Sequence, residues 1–130
     1  MYAVSIGVER YTHELMQEVP EFTVAIPGPD MGEAIRICGT RSGRDVDKVT
    51  AASLRTEPAT EIGPPLLRGA VANFECRIAS QLRTGDHTLF VGEIVTAHLA
   101  EDAPERLLNF GPGLYAAARP LAGSEHRFEV

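Results

Sequence analysis

The stretch that most restricts how this chain can fold runs from Ala70 to Leu99, AVANFECRIASQLRTGDHTLFVGEIVTAHL. Ala72, Phe74, Cys76 and Ile78 alternate with polar Asn73, Glu75 and Arg77, the two-residue period of a half-buried strand. Arg83-Thr84-Gly85-Asp86 then supplies hairpin-turn residues, with His87 just past them. On the return strand Leu89, Val91 and Val95 share one face, and Phe90, Gly92 and Ile94 the other. Both faces are mostly apolar, so each needs a cover. A barrel interior can cover one. A partner subunit or a flat ligand can cover the other.

A chain of 130 residues predicts one domain over 1–130 with a modest core. The net charge of −6 argues against general nucleic-acid binding, while a local basic cluster could still hold a small anion. Cys38 and Cys76 lack C-x-x-C spacing and read as reduced core thiols rather than a disulfide. His13, His87, His98 and His126 have no metal-ligand spacing, so no metal is expected. No leader-like segment and no apolar run of membrane length is visible. The expectation is a soluble, cytoplasmic protein with no membrane partner.

Ahead of the hairpin, Tyr2, Val4 and Ile6 predict a strand stopping at Gly7. Thr12 can cap a helix with Leu15, Met16 and Val19 on one face, ended by Pro20, and Phe22, Val24 and Ile26 predict a second strand. Asp30-Met31-Gly32-Glu33 has capping-box spacing ahead of a helix through Ile35 and Cys38, with Gly39 as its C-terminal cap. Ser42-Gly43-Arg44-Asp45 offers a weaker box for a helix facing inward through Val46, Val49, Thr50 and Ser53/Leu54. Prolines and Gly63 leave room only for a short extended segment in 55–69. Leu107 to Phe110 predicts another strand, and Ala116 to Val130 shows no period.

Three segments combine polar groups with turn geometry. Ser5 to His13 feeds a strand end into a helix start, where Arg10, Thr12 and free N–H groups could hold a phosphate; taken alone, an ordinary capped helix with a solvated arginine explains the same residues better. Cys38 to Lys48 gathers Arg41, Ser42, Arg44 and Lys48 with two glycines, Gly39 and Gly43, around another helix start. An anion site and a salt-bridged surface helix are equally compatible with it, since Asp45 and Asp47 offset the charge. Gly85-Asp86-His87 is ordinary turn chemistry that could also place a histidine at a site. There is no nucleophile elbow and no P-loop.

Taken together and in order, VSIGVERYTHEL (4–15), FTVAIP (22–27), SGRDVDKV (42–49), NFECRI (73–78) and GDHTLFVGEI (85–94) resemble the flavin reductase-like, FMN-binding split-barrel family. The resemblance implies a mainly β fold with short helices, a Greek-key split β-barrel, here shortened by about two N-terminal strands. It implies a homodimer binding FMN, with FAD the alternative, and hydride transfer from NAD(P)H to the flavin for a monooxygenase or other redox partner. A flavoredoxin-type electron carrier, or a relative that no longer binds flavin, is the alternative. Carried over, Ser5, Arg10 and Thr12 match positions near the flavin phosphate and ribityl chain, and Ser42 and Lys48 the second flavin-contacting segment, beside which Arg41 stands. Gly85, Asp86 and His87 match the motif associated with the nicotinamide donor, with His87 the expected catalytic residue.

Overall fold

The computed structural model describes residues 1–102 and 105–119. The hairpin is its frame: β5 (Ala72–Thr84) and β6 (His87–Leu99) pair antiparallel along their whole length. Gly85 and Asp86 form the two-residue loop, with Gly85 at φ +61°, the left-handed conformation that a Gly-first hairpin turn requires. β1 (Tyr2–Gly7) pairs with β6, and β2 (Glu21–Ile26) with β5, giving an antiparallel sheet in the order β1-β6-β5-β2. Two bulges, with Ala79 and Val95 as the extra residues, bend and twist the hairpin.

Residues directly opposite in an antiparallel pair share a face. The inner face therefore collects Tyr2, Val4 and Ile6 of β1, Phe22 and Val24 of β2, Phe74, Cys76 and Ile78 of β5, and Phe90 and Ile94 of β6. Met16 of α1 (Tyr11–Glu18) closes this core. Phe90 and Cys76 are fully buried, and a phenylalanine so placed contributes about 2 kcal/mol of transfer free energy. Gly92 belongs there because a Cβ would lie 2.6 Å from Phe22. α1 is turned differently from the expected helix: Leu15 and Val19 are exposed, and Met16 alone is buried. Thr12 is its second residue and not its cap; Arg10 holds the cap position, with no side-chain capping bond.

The outer face departs most from the period-2 reading. Asn73 and Glu75, expected to face solvent, are buried, because the proline-rich segment after α3 crosses over them. That segment forms β3 (Thr56–Glu57) and β4 (Leu66–Leu67), a two-stranded pair within the expected extended stretch. The bulge at Val95 also moves His98 to the outer face, beside Glu75, where unbroken alternation would have put it inward with Ile94.

Between β2 and β3 lie a 3-10 turn (Pro29–Met31), α2 (Gly32–Thr40) and α3 (Lys48–Ala51). Neither predicted capping box forms. Glu33 pairs with Arg36 instead, Gly39 sits inside α2, and Asp47 caps a helix that is only four residues long. β7 (Arg106–Gly111) and β8 (Leu114–Ala118) make a separate hairpin, so the start of the aperiodic tail is a strand. Residues 120–130 of that tail, His126 among them, lie outside the described residues. Among the described residues no helix is long and apolar enough to cross a membrane.

Candidate active site

The three polar segments converge on one cleft of about 930 Å³ at the turn end of the hairpin. Its first wall follows from register: Gly7 lies opposite His87, and Val8 N–H donates to the Asp86 carbonyl at 3.0 Å, so the end of β1 is fastened to the turn. Ser5 and His87 line this wall. They share the outer face with Leu89 and Val91, so the second apolar face of β6 runs up to the cleft edge.

The second wall is the start of α1. Arg10, Tyr11, Thr12 and Leu15 line it, an i, i+4 face of the helix. The third wall is the loop from Cys38 to Val49. Arg44 fixes that loop to α1: its guanidinium pairs with Glu14, donates to the Glu9 carbonyl at 3.2 Å and lies 5.3 Å from the centre of the Tyr11 ring. Gly43 fits because a Cβ would stand 3.0 Å from the same ring. Arg44, grouped by sequence with the anion cluster, is thus a clasp between two walls.

Lys48 is similarly engaged. Half-buried, its Nζ donates to the Cys38 carbonyl at 2.7 Å, joining α3 to the end of α2. Asp47 spends its carboxylate on Val49 and Thr50; the Thr50 hydroxyl and N–H hold it below the usual range. Ser42 Oγ accepts Arg44 N–H at 3.2 Å. Arg10 and Arg41 differ. Both are exposed on the cleft, and among the described residues neither side chain has a carboxylate partner. The donor set is two uncommitted guanidiniums with the hydroxyls of Ser5 and Thr12 beside an apolar strip. That chemistry fits a phosphorylated aromatic ligand.

The expected donor motif divides. His87 lines the cleft, while Gly85 and Asp86 do not; Asp86 Oδ1 meets His87 Nδ1 at 2.8 Å from the solvent side. That hydrogen bond holds the Asp86 carboxyl below its usual range. Cys38, expected in the core, is half-buried on the cleft wall. Sequence reading missed Tyr11. The signal was its spacing from Leu15, an apolar pair one turn apart on a face without Met16.

The other polar cluster sits at the far end of the outer face. Glu75 is 0% exposed, and its oxygens accept Thr60 N–H at 2.8 Å and Glu61 N–H at 2.7 Å, with His98 Nε2 at 2.6 Å. Burial pushes its pKa up, but those three partners outweigh burial and bring it down to about 2.

With this geometry stand its counterparts among known proteins. The flavin reductase like domain model matches residues 1–119. An uncharacterized protein of Archaeoglobus fulgidus is 40% identical over 95 residues, covering 73% of this chain and 54% of that protein. The NADH-dependent FAD reductase of Streptomyces globisporus is 32% identical over 95 residues, 72% of this chain and 51% of its own. The crystal structure of an FMN-binding protein from Thermus thermophilus superposes with a TM-score of 0.83 at 30% identity, covering 95% of this chain and 71% of that one. The chain spans about half the length of these two sequence relatives.

Proposed function

Because this chain belongs to the flavin reductase-like domain family and has its split-barrel fold, we propose that it is an oxidoreductase that binds FMN in the cleft and reduces it with NAD(P)H. The single observation that carries this reading is the convergence of Ser5, Arg10, Thr12, Arg41 and His87 on one cleft, with the two guanidiniums lacking a carboxylate partner among the described residues. Arg10 and Arg41 would donate to the flavin phosphate, and Ser5 and Thr12 would offer hydroxyls to the ribityl chain. Leu89 and Val91 offer an apolar surface for a flat ring system. His87 orients the donor at the turn end. A bound flavin supplies the hydride-accepting chemistry; the protein supplies binding, orientation and charge. Lys48 and Arg44 hold the loop that carries Arg41.

The reading extends to a single domain working as a homodimer in the cytoplasm, passing reduced flavin to a monooxygenase or another redox partner. Exposed Leu82 on the outer face, and exposed Leu108, Phe110 and Leu114 on the β7–β8 hairpin, support a second copy as the missing cover. The test is titration of the purified chain with FMN and FAD, followed by NADH and NADPH oxidation at ~340 nm. Micromolar flavin binding with donor turnover is expected. Binding without turnover selects the flavoredoxin-type carrier, and no binding overturns the assignment of the cleft.

A further inference from the structure

We propose that Asp86 is a positioning residue that acts through His87, fixing the imidazole as its Nδ1–H tautomer so that Nε2 presents a lone pair to the cleft. The donor-binding part of this inference rests on the function proposed above; the tautomer part does not. Asp86 occupies the second position of the two-residue turn, and its carbonyl accepts Val8 N–H at 3.0 Å. Its place is therefore set by β1 as well as by the hairpin. Its carboxylate is acceptor-only when ionised, so the 2.8 Å contact with His87 Nδ1 requires the proton on that nitrogen.

The other ring nitrogen is then fixed by elimination. Nε2 stands 3.6 Å from the point where a Cβ on Gly7 would lie, and Arg10 Cγ stands 3.4 Å from the same point. The missing side chain at Gly7 gives the ring and the arginine stem a shared space at the cleft wall. The charged groups around the pair are Arg10 across Gly7 and Arg83 on β5, whose Nε donates to the Gly85 carbonyl at 2.6 Å. A neutral ring so held offers an acceptor to a ligand N–H, such as a primary carboxamide. The opposite tautomer would present an N–H beside Arg10, to which only the carboxamide oxygen, and not its N–H, could bond. Asp86 itself does not line the cleft, which separates this role from ligand contact.

The decisive experiment follows the two ring nitrogens of His87 by 1H–15N correlation in alkaline buffer, with the signal identified through His87→Gln. Wild type is expected as Nδ1–H, and Asp86→Ala and Asp86→Ser as losing that preference. Thermal melts report whether each variant is folded. An Nε2–H ring in wild type, or an unchanged tautomer in both folded variants, overturns the proposal. With saturating FMN, both variants should raise KM for NAD(P)H roughly three- to tenfold, with kcat within about twofold and FMN affinity kept. A tautomer change without any change in KM overturns the donor-binding part. A wild-type protein that binds flavin without oxidising NAD(P)H fails the functional reading instead, and the tautomer measurement still decides the role of Asp86.

Discussion

The outer face of the sheet has two ends, and they treat charge in opposite ways. At the far end a carboxylate is fully buried and fully partnered: Glu75 receives two backbone N–H groups and His98, under a loop that also leans on Glu21 and Asn73. At the turn end two guanidiniums face a cleft with no carboxylate partner among the described residues. A satisfied buried charge holds a loop in one place and leaves nothing for a ligand. An unspent charge in a concavity contributes little to folding and is available for binding. One strand pair thus carries an anchored end and an available end.

Breaking the anchored end should have the largest effect. Glu75→Ala strands the Thr60 and Glu61 N–H groups and His98, and should cost about 3 kcal/mol, lowering Tm by about 10 °C. Flavin affinity of the folded protein should change little, because the clamp lies away from the cleft. The pH dependence has a definite sign. Glu75 is held at about 2 against an ordinary 4.5, so its contribution is full above pH 4.5 and is lost as pH falls towards 2. Glu75→Gln should flatten that acid limb in denaturant melts taken across the window. An unchanged limb would mean that another group governs acid unfolding.

The available end should respond the other way. Arg10→Ala and Arg41→Ala each remove one charge-assisted donor and should weaken FMN binding roughly 10- to 100-fold. Tm without ligand should stay within about 2 °C, since both side chains are exposed. Fluorescence titration alongside melts separates the two quantities. A variant that loses stability and not affinity would move its arginine to the anchored class and dissolve the contrast.

Sequence made the available end legible and the anchored end much less so. Gly7, Arg10, Thr12, Arg41 and His87 sit at turns and element ends, and turn chemistry is local. The hairpin turn and both edge strands were equally readable, because alternation and Gly85 act within a few residues. Glu75 and His98 depend instead on a bulge at Val95 and on a loop folding back from 60–61, neither of which leaves a local pattern. The same limit explains α3. Asp47, not Ser42, caps it, since residues 42–46 close a turn of their own through the Ser42 carbonyl. The residues grouped as one basic cluster differ in partners that only the tertiary fold supplies.

Lys48 tests the contrast most finely, because it lines the cleft and yet belongs with the anchored groups. The motif SGRDVDKV points to it as a flavin ligand, while its ammonium is already given to the Cys38 carbonyl at 2.7 Å. An ammonium has three protons, so one such bond does not forbid a second partner. The bond does restrict where the charge can go. If Lys48 acts mainly as a tie between α2 and α3, Lys48→Ala should lower stability by about 1 kcal/mol and weaken FMN binding only about threefold, through the loop that carries Arg41. If it is a direct ligand, affinity should fall as far as for Arg10→Ala, with stability nearly unchanged. Combining Lys48→Ala with Arg41→Ala separates these cases. A loop effect transmitted through Arg41 makes the double variant bind no worse than Arg41→Ala alone, whereas two independent ligands multiply their losses.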